Sequence, residues 1–374
     1  MTTMFEILFF VCLGVLVYAH GVYPMVVWVW SGIKKKPHQK KEWVPDVTLV
    51  VPFYNEDKVI EDKLRNVKNL EYPEEKLQVL FVDDGSKGKA AEVIEREKDS
   101  RIELIRLEEH RGKPAALNEA MREARGEIVV FSDVSGMMNE GAVKSMVENF
   151  YDENVGAVLG IYQVDRKRDS RFHGAEEKYW DFELFLKKRE SLIGNTLGGH
   201  GALYALRKEL FEPLDERIIN DDFVIPARVA LKGYRTVYEE RSVLLDCIST
   251  EVSEEFKRRI RIAYGNWQQM KVLGRGFLKR GGLVLWQFLS HKAIRTIQGL
   301  LLSYMVVFGF FVRSVVTDVF LILMGLLFAG GMLGLWFKRL KVLKGLNVFS
   351  FLVLVIGGQI VGSFYYFIGK RIRW

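Results

Sequence analysis

Cysteine is nearly absent from this 374-residue chain. There are two, Cys12 inside an apolar run and Cys247 far from it, so no disulfide framework is available and a reducing cytosolic setting suits the soluble part. Histidine is scarce, and none of the six stands at metal spacing with a cysteine, which argues against a zinc site. The turn Tyr54-Asn55-Glu56, which follows the first strand of the soluble region, has no glycine. That argues against a dinucleotide, because the backbone must approach a pyrophosphate there. Arg111-Gly112-Lys113-Pro114 lacks both the earlier glycine and the Ser/Thr of a P-loop. No internal repeat or low-complexity tract is present. The most informative shortage is of charge. Residues 7–33, 296–312, 319–337 and 345–369 carry no Asp, Glu, Lys or Arg, 88 residues in all. The 101 charged residues crowd into the remaining 286 and lift the charged fraction there from 27% to about 35%. This pattern argues against a purely soluble enzyme and for a membrane protein with a highly charged soluble domain.

The first charge-free run, Ile7 to Ile33, is long enough at about 1.5 Å per residue to cross a hydrocarbon core of about 30 Å. A cleaved signal peptide would carry positive charge before its apolar core. Here Met1 to Glu6 is faintly acidic, and Lys34-Lys35-Lys36 and Lys40-Lys41 follow the run instead. The positive-inside rule then puts the N-terminus outside and residue 34 onward in the cytosol, with Trp28 and Trp30 in an interfacial belt. The expected organisation is a transmembrane helix over 1–33, a basic linker over 34–46 and one cytosolic domain over 47–280. An amphipathic surface helix over 281–296 and three transmembrane helices within 297–374 complete a multi-pass protein of the plasma (cell) membrane. In that scheme Lys338, Arg339, Lys341 and Lys344 fall on the cytosolic face, whereas Lys370, Arg371 and Arg373 fall outside, against the rule. Gly358 and Gly362 form a GxxxG that reads as helix packing. Much of the +7 charge sits at membrane flanks, so lipid headgroups and not nucleic acid are the expected partners.

Within the soluble domain, Val47 to Phe53, Leu77 to Val82, Ile102 to Leu107 and Ile128 to Phe131 read as strands, with helices near 56–69, 88–98 and 113–125. Spacings of about 25 residues with helices between are the signature of βαβ units and a mostly parallel, Rossmann-like α/β sheet, whose ligands bind at the carboxyl ends of the strands. Those ends read Tyr54-Asn55-Glu56, Asp83-Asp84-Gly85-Ser86 and Ser132-Asp133-Val134-Ser135. Carboxylates there, with His110, Arg111 and Lys113 beside them, suit a phosphate-bearing nucleotide bridged by a divalent cation, Mg2+ or Mn2+, because hard oxygen ligands select these ions.

These residues resemble the membrane-embedded, inverting family 2 glycosyltransferases of GT-A fold, including processive synthases of hyaluronan, cellulose and poly-N-acetylglucosamine type. The resemblance runs from about Val47 to Arg295 and keeps the family's motif order. It implies that Pro52, Tyr54, Asn55 and Glu56 belong to the nucleotide-binding strand and that Asp83 and Asp84 hold the nucleoside. Lys113, in Gly112-Lys113-Pro114-Ala115-Ala116-Leu117-Asn118, stands beside the diphosphate. Ser132-Asp133-Val134-Ser135 occupies the place of the DxD motif, with Asp133 and Ser135 as the metal ligands. Gly199, His200 and Gly201 resemble the acceptor-side segment. Asp221 and Asp222 resemble the acidic pair whose second member is the catalytic base. Arg258, Arg259 and Arg261 stand where QxxRW is usual and suit a diphosphate clamp. Two departures stand out: Ser135 replaces the second aspartate of DxD, and Ile262 replaces the QxxRW tryptophan, for which Trp267 is a candidate substitute on the acceptor side.

Plainer readings stand beside these. Asp83, Asp84, Asp133 and Asp222 are also good turn and helix-capping residues. The arginines also suit a solvated helix face or lipid headgroups. His200 suits packing as well as an acceptor, and Glu176, Glu177, Tyr179 and Trp180 suggest a sugar-stacking element but read more simply as amphipathic helix surface. Three functions compete. The first moves a sugar from a nucleotide-sugar donor, UDP-linked by the resemblance, with inversion to a growing saccharide in polysaccharide synthesis. The second moves a single sugar to a lipid acceptor, a polyprenyl phosphate or glycolipid. The third is a non-catalytic nucleotide-sugar-binding membrane scaffold.

Overall fold

The computed structural model describes residues 2–164, 173–199, 203–246, 251–336 and 344–372. An apolar rod opens the chain, made of α1 (Thr2–Val17), a π turn (Tyr18–Val22) and α2 (Tyr23–Ile33). Strands and helices then alternate through β1 (Val47–Phe53), α3 (Ile60–Lys68), β2 (Leu77–Asp83), α4 (Ala90–Glu95), β3 (Ile102–Arg106), α5 (Lys113–Glu123) and β4 (Ile128–Ser132). There follow β5 (Met137–Met138), α6 (Ala142–Val147), β6 (Val155–Val164), α7 (His173–Ile193), β7 (Leu203–Arg207), α8 (Asp221–Leu231) and β8 (Arg235–Asp246). The C-terminal part is helical: α9 (Val252–Arg280), α10 (Gly282–Gln287), a second π turn (Phe288–Ala293), α11 (Ile294–Gly309), α12 (Val315–Trp336) and α13 (Lys344–Phe367).

The strands form one sheet in the order β3-β2-β1-β4-β7-β6-β8-β5. β3, β2, β1 and β4 pair in parallel, as does β6 with β8, while β7 runs antiparallel to both neighbours. Every residue of β1 and β2 is buried, which explains their unbroken apolar runs: helices cover both faces of the sheet. Leu49, Val51 and Phe53 face a core shared with α3, α4 and α6, while Val50 and Leu80 face one shared with α5, α8 and α9. At about 25 cal/mol per Å2 of apolar area buried, these two cores supply the dominant stabilising term of the domain.

Among the described residues, three helices are long and apolar enough to cross a membrane: Met4–Ile33, Val315–Trp336 and Leu346–Phe367. The run at 296–312, expected as a separate span, does not join them. It belongs to a rod continuous from Gly282 to Gly309, of which α11 forms the last 16 residues. The surface helix expected over 281–296 is the first half of this same rod. Lys338, Arg339, Lys341 and Arg373 of the topology scheme lie outside the described residues.

Candidate active site

The carboxyl ends of β1, β2 and β4 come together, as the strand register requires, at one end of a cavity of about 800 Å3. Pro52, Tyr54, Glu56, Asp84, Lys113, Asp133 and Ser135 line that end. Asn55 does not reach it. In a left-handed conformation that asparagine tolerates (φ 55°), it ties the β1 end to the β2 end, its N–H donating to Ser86 Oγ (2.8 Å) while its Oδ1 accepts from Lys87 N (3.0 Å). Asp83 turns back into its own loop, where Oδ1 accepts from Ser86 N at 2.9 Å. Asp84 braces the loop before α5, its oxygens accepting from Arg111 N (2.9 Å) and Gly112 N (2.7 Å), with His110 Nδ1 2.8 Å away. His110 stacks on Tyr54 at 3.8 Å between centroids, so the cavity rim carries a flat aromatic pair.

One cation and three carboxylates make up the centre of the site. Lys113 Nζ lies 2.7 Å from Asp133 Oδ1 and 3.2 Å from Asp221 Oδ2. Burial by itself would lower the Lys113 ammonium, but Asp133 and Asp221 outweigh it and hold the group above the usual lysine range. Asp221 also accepts from Tyr204 Oη at 3.0 Å. Burial, reinforced by the Asp222 and Asp133 charges and opposed by Lys113, pushes its carboxyl up to about 6. Asp222, the next residue at the start of α8, is half-buried on the cavity wall. Ser132 is turned away from the cavity. It accepts from Lys63 Nζ (2.7 Å), which also donates to Gly136 O (2.6 Å) and so clips both ends of the Asp133 loop. Lys63 was not foreseen, yet its signal was there, because it shares a helical stripe with Ile60, Leu64 and Val67, all buried.

Gly199 borders the cavity, and its N–H donates to the Asp222 carbonyl at 2.8 Å. Lys187 of α7 donates to the carbonyls of Gly198 (2.6 Å) and Gly199 (3.0 Å), which fixes this segment against α7. His200 and Gly201 lie outside the described residues. Arg258, Arg259 and Arg261 all line the cavity. Arg259 is buried, with Nε 2.5 Å from Glu255 Oε1 and its guanidinium 4.8 Å from the centre of the Phe351 ring, so a solvated face is excluded for it. Trp267 does not reach the cavity. Its indole N–H donates to Ser363 Oγ (2.8 Å) and its ring stacks on Tyr366 at 5.9 Å, so it fastens α9 to α13. Gly358 and Gly362 pack as expected, but against α9: a Cβ on Gly358 would come within 2.5 Å of Arg259 Cβ, and one on Gly362 within 2.5 Å of Ile260 O. Tyr179 and Trp180, for which the sequence offers a sugar-stacking element or helix surface, line the cavity with Tyr162 and Phe182, and Tyr179 is also exposed. The strand that brings Tyr162 beside Trp180 (5.2 Å) carries no local sign of that partner.

Residues 48–215 match the family model described as glycosyl transferase family 2. The chain is 29% identical over 240 residues to a poly-beta-1,6-N-acetyl-D-glucosamine synthase of Staphylococcus aureus (strain COL), which covers 62% of this chain and 57% of the relative. The enzyme of the same name from Staphylococcus epidermidis is 29% identical over 238 residues, covering 62% and 56%. The chain thus spans little more than half the length of these curated relatives. A mannosyltransferase from Pyrobaculum calidifontis, solved with GDP-Man and Mn2+, superposes with a TM-score of 0.74 at 23% identity, over 97% of this chain and 99% of that one. The fold is therefore the Rossmann-like GT-A domain with appended helices that the motif order led one to expect.

Proposed function

Because residues 48–215 match the glycosyl transferase family 2 model, we propose that the chain transfers a sugar, with inversion, from a nucleotide-sugar donor to a growing saccharide at the membrane. The observation that carries this reading is the placement of Asp222. It is half-buried on the wall of the cavity that Tyr54, Asp84, Lys113 and Asp133 also line, and its neighbour Asp221 is engaged by Lys113 and Tyr204. The donor lies with its nucleoside toward Tyr54 and Asp84 and its diphosphate toward Lys113, Arg258 and Arg261. The acceptor hydroxyl lies toward Asp222 and Gly199. Its oxygen bonds to the anomeric carbon as the bond from that carbon to the diphosphate breaks on the opposite face. The hydroxyl proton passes to Asp222, and the nucleoside diphosphate leaves with the bonding pair. The transferred unit is hexosyl or N-acetylhexosaminyl. Relatives named for an N-acetyl-D-glucosamine polymer support the second.

The donor edge fits a divalent cation that arrives with the diphosphate. Asp133 and Ser135 offer hard oxygens to the cavity, and among the described residues no group of three or more His, Cys, Asp or Glu makes a ready cage. Asp133 and Ser135 would hold Mg2+ or Mn2+ there, and the ion would supply neutralisation of the departing diphosphate. Asp222→Asn is expected to leave donor affinity near normal and lower turnover by about 100- to 10,000-fold. Unchanged transfer of labelled sugar by that variant removes Asp222 from the mechanism. Chelation with EDTA is expected to stop transfer and added Mn2+ to restore it. Full activity in EDTA would take the ion out of the scheme.

A further inference from the structure

The cavity also reaches the bilayer helices, where His20 and Gln359 line it, and the second π turn contributes His291 to its wall. This ring is buried, and a carboxylate of α7 faces each of its nitrogens: Glu190 Oε1 lies 2.7 Å from Nδ1 and Glu183 Oε2 lies 3.2 Å from Nε2. A neutral imidazole has one N–H, so it serves only one of them and turns a lone pair on the other. Neither carboxylate is placed to supply the missing proton. Glu183 is paired through its other oxygen with Arg295, and a neighbouring guanidinium favours the ionised carboxylate. Glu190 also accepts from Tyr23 Oη (2.5 Å) and Thr196 Oγ1 (3.1 Å). Burial alone would raise its carboxyl, but His291 and Tyr23 outweigh burial and hold it below the usual range. Burial, Lys292 and Lys187 oppose a second proton on the ring, and Glu190 favours it. Burial pushes both lysines down and so weakens their opposition, and Lys187 as a neutral amine still has a donor for each of its two carbonyls. His20 of the first π turn and Tyr23 of α2 also lie near the ring, while Asp222 of α8 acts on Lys292. Two carboxylates against one guanidinium leave this buried set a positive charge short, and the second ring proton supplies it.

Glu183, Lys187 and Glu190 lie at helical spacing on one face of α7, so the ring grips two turns of that helix with Lys187 between its two contacts. Lys187 holds the Gly198 and Gly199 carbonyls, Glu190 holds Thr196 two residues earlier, and the Gly199 N–H holds the Asp222 carbonyl at 2.8 Å. We propose that His291 stays an imidazolium at neutral pH and is the positioning residue for Asp222, a charged bolt between the C-terminal rod and the α7 face that fixes the Gly198–Gly199 segment. The positioning role rests on the glycosyltransferase reading of Asp222, whereas the charge of the ring stands on its own geometry. His291 makes and breaks no covalent bond, and the transfer step is the one written above.

The test uses nitrogen NMR of the full-length protein in detergent, isotopically labelled at histidine and held at about pH 8, well above the ordinary histidine value of 6.5. A neutral ring shows one nitrogen of pyridine type, and an imidazolium shows none. Subtracting the His291→Gln spectrum from that of the parent is expected to isolate an imidazolium. Glu183→Gln, which removes the demand for the second proton, is expected to turn the same ring neutral. A pyridine-type nitrogen at His291 in the parent, or a ring still charged in Glu183→Gln, overturns the bolt. If His291→Gln does not fold, the parent and Glu183→Gln decide: no doubly protonated ring in the parent, or the same number in both, is the same refutation. Sugar transfer is measured in parallel. His291→Gln is expected to lower kcat by about 10- to 100-fold with donor KM within about twofold of the parent, because the base is displaced while the donor edge is not. An unchanged kcat, or a donor KM that rises as kcat falls, removes the positioning role. A parent that transfers no sugar sinks the glycosyltransferase reading and the positioning role with it, while the spectrum still decides the charge of the ring.

Discussion

Lys63 concentrates much of what the residue scale adds. It is fully buried, and its ammonium is pushed down to about 7 by burial, against the pull of Asp133 and Asp246. A neutral amine has two N–H donors, and Lys63 has two acceptors, Ser132 Oγ and Gly136 O, so the neutral form is fully satisfied. The folded-state value lies below the unfolded 10.5, so between about pH 7 and 10.5 the unfolded chain binds more protons than the folded one. Stability therefore rises with pH across that window. Lys63→Met is expected to flatten the rise in melting temperature between pH 7 and 10. It is also expected to raise the donor KM, because the Asp133 loop loses its clip while Ser132 and Gly136 O lose a donor worth about 1–3 kcal/mol. A parallel pH dependence in parent and variant would remove Lys63 from this account. Asp84, Asp133 and Asp222 were legible in the sequence because strand ends and motif order mark them. Lys63 was legible only as a lysine on an apolar stripe, since its acceptors lie about 70 residues away in the chain.

At the scale of elements, α7 and α9 are the helices that the sequence describes least well. Glu183, Lys187 and Glu190 repeat at helical spacing, which usually marks a solvated face, yet all three are buried and bonded to other elements. Their partners, Gly198, Gly199 and His291, belong to a loop and to the rod from Gly282 to Gly309, so helix periodicity alone cannot reveal them. α9 is held against the last span through glycines where backbones meet. Gly362→Leu must therefore separate the helices, since even a Cβ there would lie 2.5 Å from Ile260 O and 2.7 Å from Ala263 Cβ. Arg258, Arg259 and Arg261 ride on α9, so loss of transfer together with a lower melting temperature in detergent is expected. Gly357→Ala is the control, because its Cβ would meet only Phe256 at 3.4 Å and alanine favours the helix. Equal behaviour of the two variants would show that this joint does not position the arginines.

For the whole molecule, the N-terminal rod does more than present an apolar surface. Tyr23 is buried and donates to Glu190 of α7, and Trp286 and Ser290 of the C-terminal rod bond to Tyr18. The N-terminal rod and the α/β domain thus share a buried polar seam. Tyr23→Phe leaves the packing and removes one donor to a buried carboxylate, at a cost of about 1–3 kcal/mol. Thermal unfolding of the full chain in detergent is expected to show that loss, and an unchanged midpoint would mean the seam is dispensable.

Local chemistry was enough to determine the charge-free runs, the alternation of β1 through β4 with their helices, and the acidic strand ends, because periodicity and turn residues act over a few positions of chain. The partners of Lys63, Lys187, Tyr23 and Trp267, the single rod from Gly282 to Gly309 and the cavity reaching toward the bilayer helices were decided only by the tertiary structure. Each of these joins segments tens to hundreds of residues apart, and no local pattern records which distant backbone or carboxylate will close the hydrogen bond.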